Sequence, residues 1–343
     1  MAARLSASVP SWMLGIARFA YRAATPHLWP ARIAHMRARK RRLAGERASL
    51  DWDRSPEAKQ LARGIYWMGH PLVARRLNIK ASGSPDADAY GRLQQLLEAQ
   101  GWAFPVSRAL SLGCGHGALE RRLASAGFAA RYDAIDLAPQ AIAEARRLAD
   151  DAGLQNIHYS VGDLEQVDLP AGAFDVVLAH QSAHHVEDLD RLFATVSRAL
   201  RPGGVFHLHE FVGPDRFQWT DAQLHHMNAF VGALPARYLR LPSGEPRPNK
   251  LRPTIADMIA IDPTEAISSS AILNAVGRHF RILEIRELGG ALLHEGLGGI
   301  GQNFDPQAPE DVAHLDAFFA LEDRLMSQGV IASDFVTVTA MRE

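Results

Sequence analysis

The sequence has little cysteine: Cys114 is the single one among 343 residues. One thiol allows no internal disulfide bond, which fits a reducing compartment, and it excludes a zinc cluster built on cysteines. The chain also lacks any uncharged apolar run near the ~18 residues that a membrane-spanning helix requires. We therefore expect a cytoplasmic protein without a transmembrane segment.

Neither sign of charge is in excess over the whole chain, whose formal net charge is −1. The distribution is nevertheless uneven, because residues 1–47 hold ten Lys or Arg and a single acid, Glu46, a local balance of +9. The rest of the chain carries −10. A mildly acidic body does not favour binding of nucleic acid, and the 47% of hydrophobic residues is typical of a globular protein.

Apolar residues recur at helical spacing near the N-terminus, at Trp12, Ile16, Phe19 and Ala23, and a run of bases follows at 37–42. This pattern predicts a basic amphipathic segment over residues 1–50. Three interpretations stay open: a helix that packs on the body, a peripheral contact with the inner membrane surface, and a cleaved targeting segment.

The rest of the chain divides at about residue 105. Residues 51–104 have a helical pattern, broken by Pro and Gly at 82–85. Beyond them, short apolar runs of strand length alternate with amphipathic helical stretches, which predicts an α/β fold with a doubly wound, mostly parallel sheet. We expect strands at Ala109–Leu112, Tyr132–Leu137, Ile157–Val161, Phe174–Ala179, Val205–Phe211, Phe280–Glu287 and Phe335–Met341. Long inserts at 213–278 and 290–334 would act as lids over the ligand-binding end of a domain spanning 105–343.

A glycine-rich loop follows the first predicted strand and opens a helix. Gly113, Gly115 and Gly117 would let backbone approach a ligand at the positive end of that helix. The loop also fits the dinucleotide-binding pattern with Ala118 in third place, and Asp136 stands where a ribose-binding acid would. An NAD(P)-dependent oxidoreductase is therefore an alternative.

Five segments in order favour another family. LSLGCGHG (110–117), AIDLAP (134–139), VGDLE (161–165), FDVVLAHQSAHHV (174–186) and LRPGGVF (200–206) resemble the class I S-adenosylmethionine-dependent methyltransferases. The resemblance covers roughly residues 105–212 well and the two final strands loosely. It implies a Rossmann-like methyltransferase sheet with an antiparallel final strand and S-adenosyl-L-methionine as the cofactor.

The resemblance also implies roles by position. The glycine loop would pass under the methionine part of the cofactor, and Asp136 would accept both ribose hydroxyls. Asp163 would receive the adenine amino group, with Leu137 and Leu164 along the ring, and His180 would serve through its backbone. The alternative is that Asp136 and Asp163 are ordinary turn residues at strand ends.

One position departs from the family pattern. The family usually has an acid two residues before the first glycine, and Ser111 occupies that place here. The cofactor's amino group would then be held by water or by another acid.

Histidines crowd the predicted ligand-binding end. Seven of the fifteen lie between positions 180 and 226, at His180, His184, His185, His207, His209, His225 and His226. Methyl transfer to a hydroxyl benefits from a general base, and histidine has a suitable pKa. We expect His184 or His185, or the neighbouring pair His209 and Glu210, to act as base or substrate contact.

Less specific explanations of these histidines stay open. His207 is expected in the core, and one of His184 and His185 is expected to cap the helix that begins near Glu187. A zinc site at His207 and His209 is disfavoured because no HExxH helix accompanies it, so no metal is expected.

Arg216, Gln218 and Trp219 are candidates to orient an acidic or sugar acceptor, although a solvated loop fits them equally well. A nucleic-acid substrate is disfavoured, because no Asn-Pro-Pro-Tyr or Asp-Pro-Pro-Tyr follows the fourth strand and Gln181 stands there instead. We therefore expect methyl transfer to oxygen, rather than nitrogen or carbon, of a small metabolite or glycan. A third alternative is a non-catalytic binding protein tethered to a membrane by its basic N-terminus.

Overall fold

Seven strands in the computed structural model form one mixed sheet, and the residues that the structure describes are 64–343. The strands are β1 Val106–Leu112, β2 Ala129–Asp136, β3 Ile157–Val161, β4 Phe174–His180, β5 Leu200–Phe211, β6 Arg281–Gly289 and β7 Phe335–Met341. Their order is β3-β2-β1-β4-β5-β7-β6. The first five pair in parallel, and β7 runs antiparallel to both β5 and β6. The predicted doubly wound α/β class, with its antiparallel final strand, is confirmed.

Helices cover both faces of this sheet and build the inserts. They are α1 Pro71–Ser82, α2 Ala89–Glu98, α3 Ala118–Ser125, α4 Pro139–Asp151, α5 Leu189–Ala199, α6 Asp221–Gly232, α7 Ile255–Ile261, α8 Ile272–His279, α9 Leu293–Gly296 and α10 Pro309–Ser327. None of the helices in the described part of the chain is both long and apolar enough to cross a bilayer.

Local signals set several of these boundaries. Pro71 occupies the first turn of α1, and Gly83 ends the helix in the left-handed region at φ 84°, as the predicted break at 82–85 requires. Asp188 caps α5 by accepting the backbone N–H of Arg191 at 3.1 Å. The expectation that a histidine caps this helix is therefore wrong, because a carboxylate one residue before the helix is the better acceptor.

Alternate residues of the central strands pack on opposite faces. Leu178 of β4 shares a buried cluster with Leu93 and Leu97 of α2. The next residue back, Val177, lies in the cluster of the other face with Phe193 of α5. Burial on both faces explains why these strands read as continuous apolar runs.

The predicted division of the chain stays a prediction. Residues 1–50, with their amphipathic segment and possible membrane contact, lie outside the described residues, as does 51–63. Within the described part, α1 and α2 represent the helical region before residue 105. The insert 213–278 contains α6, α7 and most of α8, and the insert 290–334 contains α9 and α10.

The carboxyl ends of β1 to β5 meet at one edge of the sheet. The chain leaves β1 toward β2 on one side, and β4 then pairs on the other side, so the strand order switches direction between β1 and β4. Ligands of open parallel sheets bind at such a switch point.

Candidate functional site

The loop between β1 and α3 is held by the carboxylate at the end of β2. Gly115 donates its backbone N–H to Asp136 Oδ2 at 2.7 Å, and Ala138 donates its N–H to Oδ1 at 2.8 Å. Asp136 is buried. Gly113, Gly115 and Gly117 all have positive φ, at 72°, 51° and 71°. The structure thus brings the predicted loop and the predicted ribose-binding acid into contact.

Two of these glycines allow close packing and one leaves space. A Cβ on Gly113 would lie 2.3 Å from Ser182 Cβ, and one on Gly117 would lie 2.4 Å from the Tyr159 hydroxyl oxygen. A Cβ on Gly115 would meet nothing within 4 Å. The loop is therefore packed at both ends and open at its middle, which is what a ligand passing over the backbone requires.

The other predicted cofactor residues lie at the same edge with local partners. Asp163 accepts hydrogen bonds from the Glu165 backbone N–H at 2.9 Å and from Gln166 Nε2 at 2.8 Å. These bonds fit a turn residue, so the adenine role of Asp163 stays a prediction. Leu137 and Leu164 directly follow Asp136 and Asp163 and are partly exposed, and their roles stay predictions as well.

Glu210 fixes the turn that follows β4. Its Oε1 accepts the backbone N–H groups of Ser182 and Ala183, each at 2.6 Å. Its Oε2 accepts the N–H of Phe211 at 3.0 Å and lies 2.7 Å from His184 Nδ1. Four partners use all the lone-pair positions of this fully buried carboxylate. The geometry is that of a positioning residue, and the predicted catalytic role of Glu210 stays untested.

His184 lies between two carboxylates. Its Nδ1 faces Glu210, and its Nε2 lies 3.4 Å from Glu265 Oε1. Burial alone would lower the pKa of His184, but Glu210 and Glu265 raise it to about 10. At neutral pH the ring is therefore a charged imidazolium, which is a poor proton acceptor.

His185 has the opposite protonation state. Its Nδ1 lies 3.1 Å from the Thr264 hydroxyl oxygen, and its ring centroid lies 4.3 Å from that of His184. Burial and the charge of His184 lower the pKa of His185 below its usual value of 6.5. Of the two predicted candidates, His185 is thus the neutral one that can accept a proton.

A second histidine cluster lies at the ends of β4 and β5. His180 Nδ1 lies 2.8 Å from the Tyr90 hydroxyl, and the His180 and His209 ring centroids are 4.6 Å apart. Burial lowers the pKa of His180 to about 4 and that of His209 well below its usual value. His207 is buried and bonds Thr339, as expected of a core residue. The roles predicted for His180 and His209 stay predictions.

Two insert residues beside the histidine pair, Thr264 and Glu265, were not predicted. Ile267 donates its N–H to the carbonyl of His184 at 3.0 Å, which places Thr264 and Glu265 beside the histidine pair. Arg216 donates to the carbonyls of Ala266, through its backbone, and of Glu265, through its guanidinium. No local pattern in the sequence pointed to Glu265.

The side chains of Gln218 and Trp219 are engaged within the insert. Gln218 Nε2 donates to the carbonyls of Arg216 and Pro253, at 3.0 and 2.9 Å. Trp219 is buried and stacks on Phe217 with ring centroids 5.1 Å apart. These contacts stabilise the insert. The predicted role of Arg216, Gln218 and Trp219 in binding substrate stays a prediction.

Six aromatic rings surround His294, and we call this arrangement the aromatic box. It comprises Tyr66, Trp67, Phe211, Phe217, Trp219 and Phe335, with ring centroids between 5.2 and 6.4 Å from that of His294. Tyr66 is exposed, and Phe217 and His294 are partly exposed. Burial lowers the pKa of His294, and its charge state is coupled to Glu265 and His184. The box therefore adjoins the histidine pair and gives it an apolar flank.

His184, His185 and Glu265 also have potential metal-ligand atoms that all lie within 4.8 Å of one another. Both ring nitrogens of His184 already face carboxylates. Within residues 64–343, no comparable group of three forms around His207 and His209.

Comparison with known proteins agrees with this geometry. Residues 110–208 match the sequence model of a family described as "Methyltransferase domain". A malonyl-[acyl-carrier protein] O-methyltransferase of Serratia marcescens is 32% identical over 160 residues, which are 44% of this chain and 60% of that protein. A ubiquinone biosynthesis O-methyltransferase of Methylocella silvestris is 41% identical over 98 residues, 29% of this chain and 37% of that protein. The chain thus spans less than two thirds of the length of these relatives.

A solved structure with a similar fold is the geranyl diphosphate C-methyltransferase of Streptomyces coelicolor, at 16% identity and a TM-score of 0.49 over 88% of this chain and 98% of that one. Neither the oxidoreductase nor the non-catalytic alternative is supported by the family match or by the relatives. The matched segment, the sheet order and the glycine loop held by Asp136 together support a class I S-adenosylmethionine-dependent methyltransferase domain that includes residues 110–208.

Proposed function

We propose that this chain transfers the methyl group of S-adenosylmethionine to an oxygen atom of a small acceptor with a substantial apolar part. The observation that carries the proposal is the bond between Gly115 and Asp136 at the switch point of the sheet. It holds an open glycine loop beside a buried carboxylate, where a ribose and its attached chain would lie.

The residues present fit this cofactor. The backbone over Gly115 is open, so a ligand can approach it without displacing a side chain. One oxygen of Asp136 accepts the N–H of Gly115 and the other accepts the N–H of Ala138. Each oxygen keeps a lone pair that can accept a hydrogen bond from a ribose hydroxyl. When bound, S-adenosylmethionine supplies a methyl group on a positively charged sulfur.

The residues after β4 would serve the acceptor. His185 is neutral and would take the proton of an acceptor hydroxyl. The acceptor oxygen would bond the methyl carbon as the bond from that carbon to sulfur breaks, which would leave S-adenosylhomocysteine. Glu210 accepts the N–H groups of Ser182 and Ala183 and so fixes the turn on which His185 lies. Such positioning matters because the displacement requires the oxygen, the methyl carbon and the sulfur to lie in line.

The aromatic box favours an acceptor with an apolar or aromatic part. Tyr66 is exposed and Phe217 is partly exposed, so these two rings can offer apolar contact at little conformational cost. Phe211 of the box contacts the His184 ring, with centroids 6.2 Å apart. Both curated relatives described above are named O-methyltransferases, which supports oxygen as the methylated atom. A sugar or glycan acceptor, also expected from the sequence, has no comparable support.

A transfer assay with three acceptor classes tests this proposal. With methyl-labelled S-adenosylmethionine, we expect label in phenolic or quinol acceptors or in alkyl carboxylic acids, and little in free sugars. Tyr66→Ala should raise the KM for the apolar acceptor by about tenfold, because it removes an exposed ring of the box.

Tyr66→Phe is the matched control, since it keeps the ring and loses only the hydrogen bond from the Tyr66 hydroxyl to Gln181. It should leave the KM nearly unchanged. Transfer to sugars alone would overturn the apolar acceptor class, and transfer to nitrogen or carbon in the product would overturn the assignment to oxygen.

A further inference from the structure

A buried carboxylate lies on the helix that the glycine loop opens. Glu120 is the third residue of α3 and is 1% exposed. Its Oε1 accepts a hydrogen bond from the hydroxyl of Ser111. Its Oε2 is buried and, within residues 64–343, has no hydrogen-bond partner. One oxygen of this carboxylate is thus oriented by the protein and the other is left without a donor.

The charge of Glu120 is also uncompensated. Among the ion pairs of the described residues, none involves Glu120. Burial raises its pKa to about 7, Asp136 adds to the rise, and the hydroxyl of Ser111 and the charge of Arg121 lower it only in part. Such a buried carboxyl group is costly to ionise, and a cation that pairs with it would favour its charged form.

The location is the one where the proposed cofactor carries a cation. Ser111 lies two residues before Gly113, and Glu120 lies three residues after Gly117, so the pair spans the loop from both sides. Asp136, which would hold the ribose, is within electrostatic reach of Glu120. The amino acid part of S-adenosylmethionine carries an ammonium group, and with the ribose at Asp136 this part would lie along the glycine loop.

Ser111 and Glu120 therefore form a matched pair. The hydroxyl of Ser111 donates to Glu120 and orients its carboxylate. An acid at position 111 would instead place two carboxylates in contact, and one of them would have to be protonated. The acid that β1 lacks at position 111 is present instead on α3, as Glu120.

We propose that Glu120 binds the ammonium group of the cofactor's amino acid part, with Ser111 as its positioning residue, in place of an acid on β1. This inference rests on the proposed function. It assigns the carboxylate to α3, within the first turn of the helix that the glycine loop opens.

The test compares two ligands by calorimetry, S-adenosylhomocysteine and 5′-methylthioadenosine, which keeps the nucleoside but lacks the amino acid part. Glu120→Gln should lower the affinity for S-adenosylhomocysteine about 100-fold, because the ammonium group loses its charged partner. Binding of 5′-methylthioadenosine should change less than about twofold. The double variant Ser111→Asp/Glu120→Ser exchanges the positions of the carboxylate and the hydroxyl. It should recover most of the affinity for S-adenosylhomocysteine that Glu120→Gln loses.

Unchanged binding of S-adenosylhomocysteine by Glu120→Gln would overturn the inference. So would an equal loss for both ligands, because that result would assign Glu120 to the stability of the loop alone. If Glu120→Gln does not fold, the exchange variant decides, since it keeps one carboxylate and one hydroxyl in the pair. A wild-type protein that binds neither ligand would refute the proposed function itself and the inference with it.

Discussion

Replacing Asp136 by alanine is expected to lower the affinity for S-adenosylmethionine and S-adenosylhomocysteine by at least about 100-fold, or about 2.7 kcal/mol. The carboxylate has two tasks, and alanine removes both. It holds the N–H of Gly115, which shapes the open loop, and under the proposed function it would accept the ribose hydroxyls. Calorimetric titration of the purified variant measures the loss directly.

The same strand supplies the control. Asp133 of β2 forms an ion pair with Arg108 at 2.6 Å, away from the glycine loop. Asp133→Ala should reduce stability without changing cofactor affinity. Asp136→Ala should lower the affinity for 5′-methylthioadenosine as much as the affinity for S-adenosylhomocysteine, because the ribose is common to both ligands. Glu120→Gln should lower only the affinity for S-adenosylhomocysteine. Normal binding by Asp136→Ala would remove the main assignment of the cofactor site.

Replacing His185 by alanine is expected to reduce kcat by about 100-fold or more while leaving the affinity for S-adenosylhomocysteine unchanged. His185 is neutral and faces Thr264 on the insert, whereas His184 is held as an imidazolium by Glu210 and Glu265. His184→Gln should therefore act mainly through the position of the turn. His225→Ala is the control, because this histidine is exposed on α6.

The pH dependence of kcat separates the two histidines. Burial and the charge of His184 lower the pKa of His185, so the neutral form persists below pH 6.5. The rate should hold as the pH falls through 6.5 and decline only at more acidic pH, when His185 takes up a proton. Near-normal kcat in both His184→Gln and His185→Ala would show that neither is the base. The same conclusion would follow from a rate that collapses at pH 6.5.

The sequence was sufficient to predict the sheet and the glycine loop between β1 and α3, because both depend on local patterns. The seven apolar runs became the seven strands, although β1, β2 and β5 begin earlier than predicted, at Val106, Ala129 and Leu200. Parallel pairing then brings the ends of β1 and β2 together, so the contact of Gly115 with Asp136 follows from the order of the elements.

Contacts between distant parts of the chain could not be predicted in this way. Glu265 approaches His184 from an insert 81 positions later, and this contact adds to the larger effect of Glu210 in raising the pKa of His184. The aromatic box gathers rings from segments between Tyr66 and Phe335, whose spacing in the sequence carries no signal. Glu120 is close in sequence, but only the fold shows that its carboxylate meets Ser111.

Thermal unfolding of the wild-type protein with S-adenosylmethionine, S-adenosylhomocysteine, NAD and NADP in turn tests the central claim most directly. At a concentration about 100 times the Kd, a ligand adds about 2.7 kcal/mol to the free energy of unfolding and raises Tm by several degrees. We expect this rise with the first two ligands and none with NAD or NADP. A rise with a nicotinamide cofactor alone would contradict the methyltransferase account.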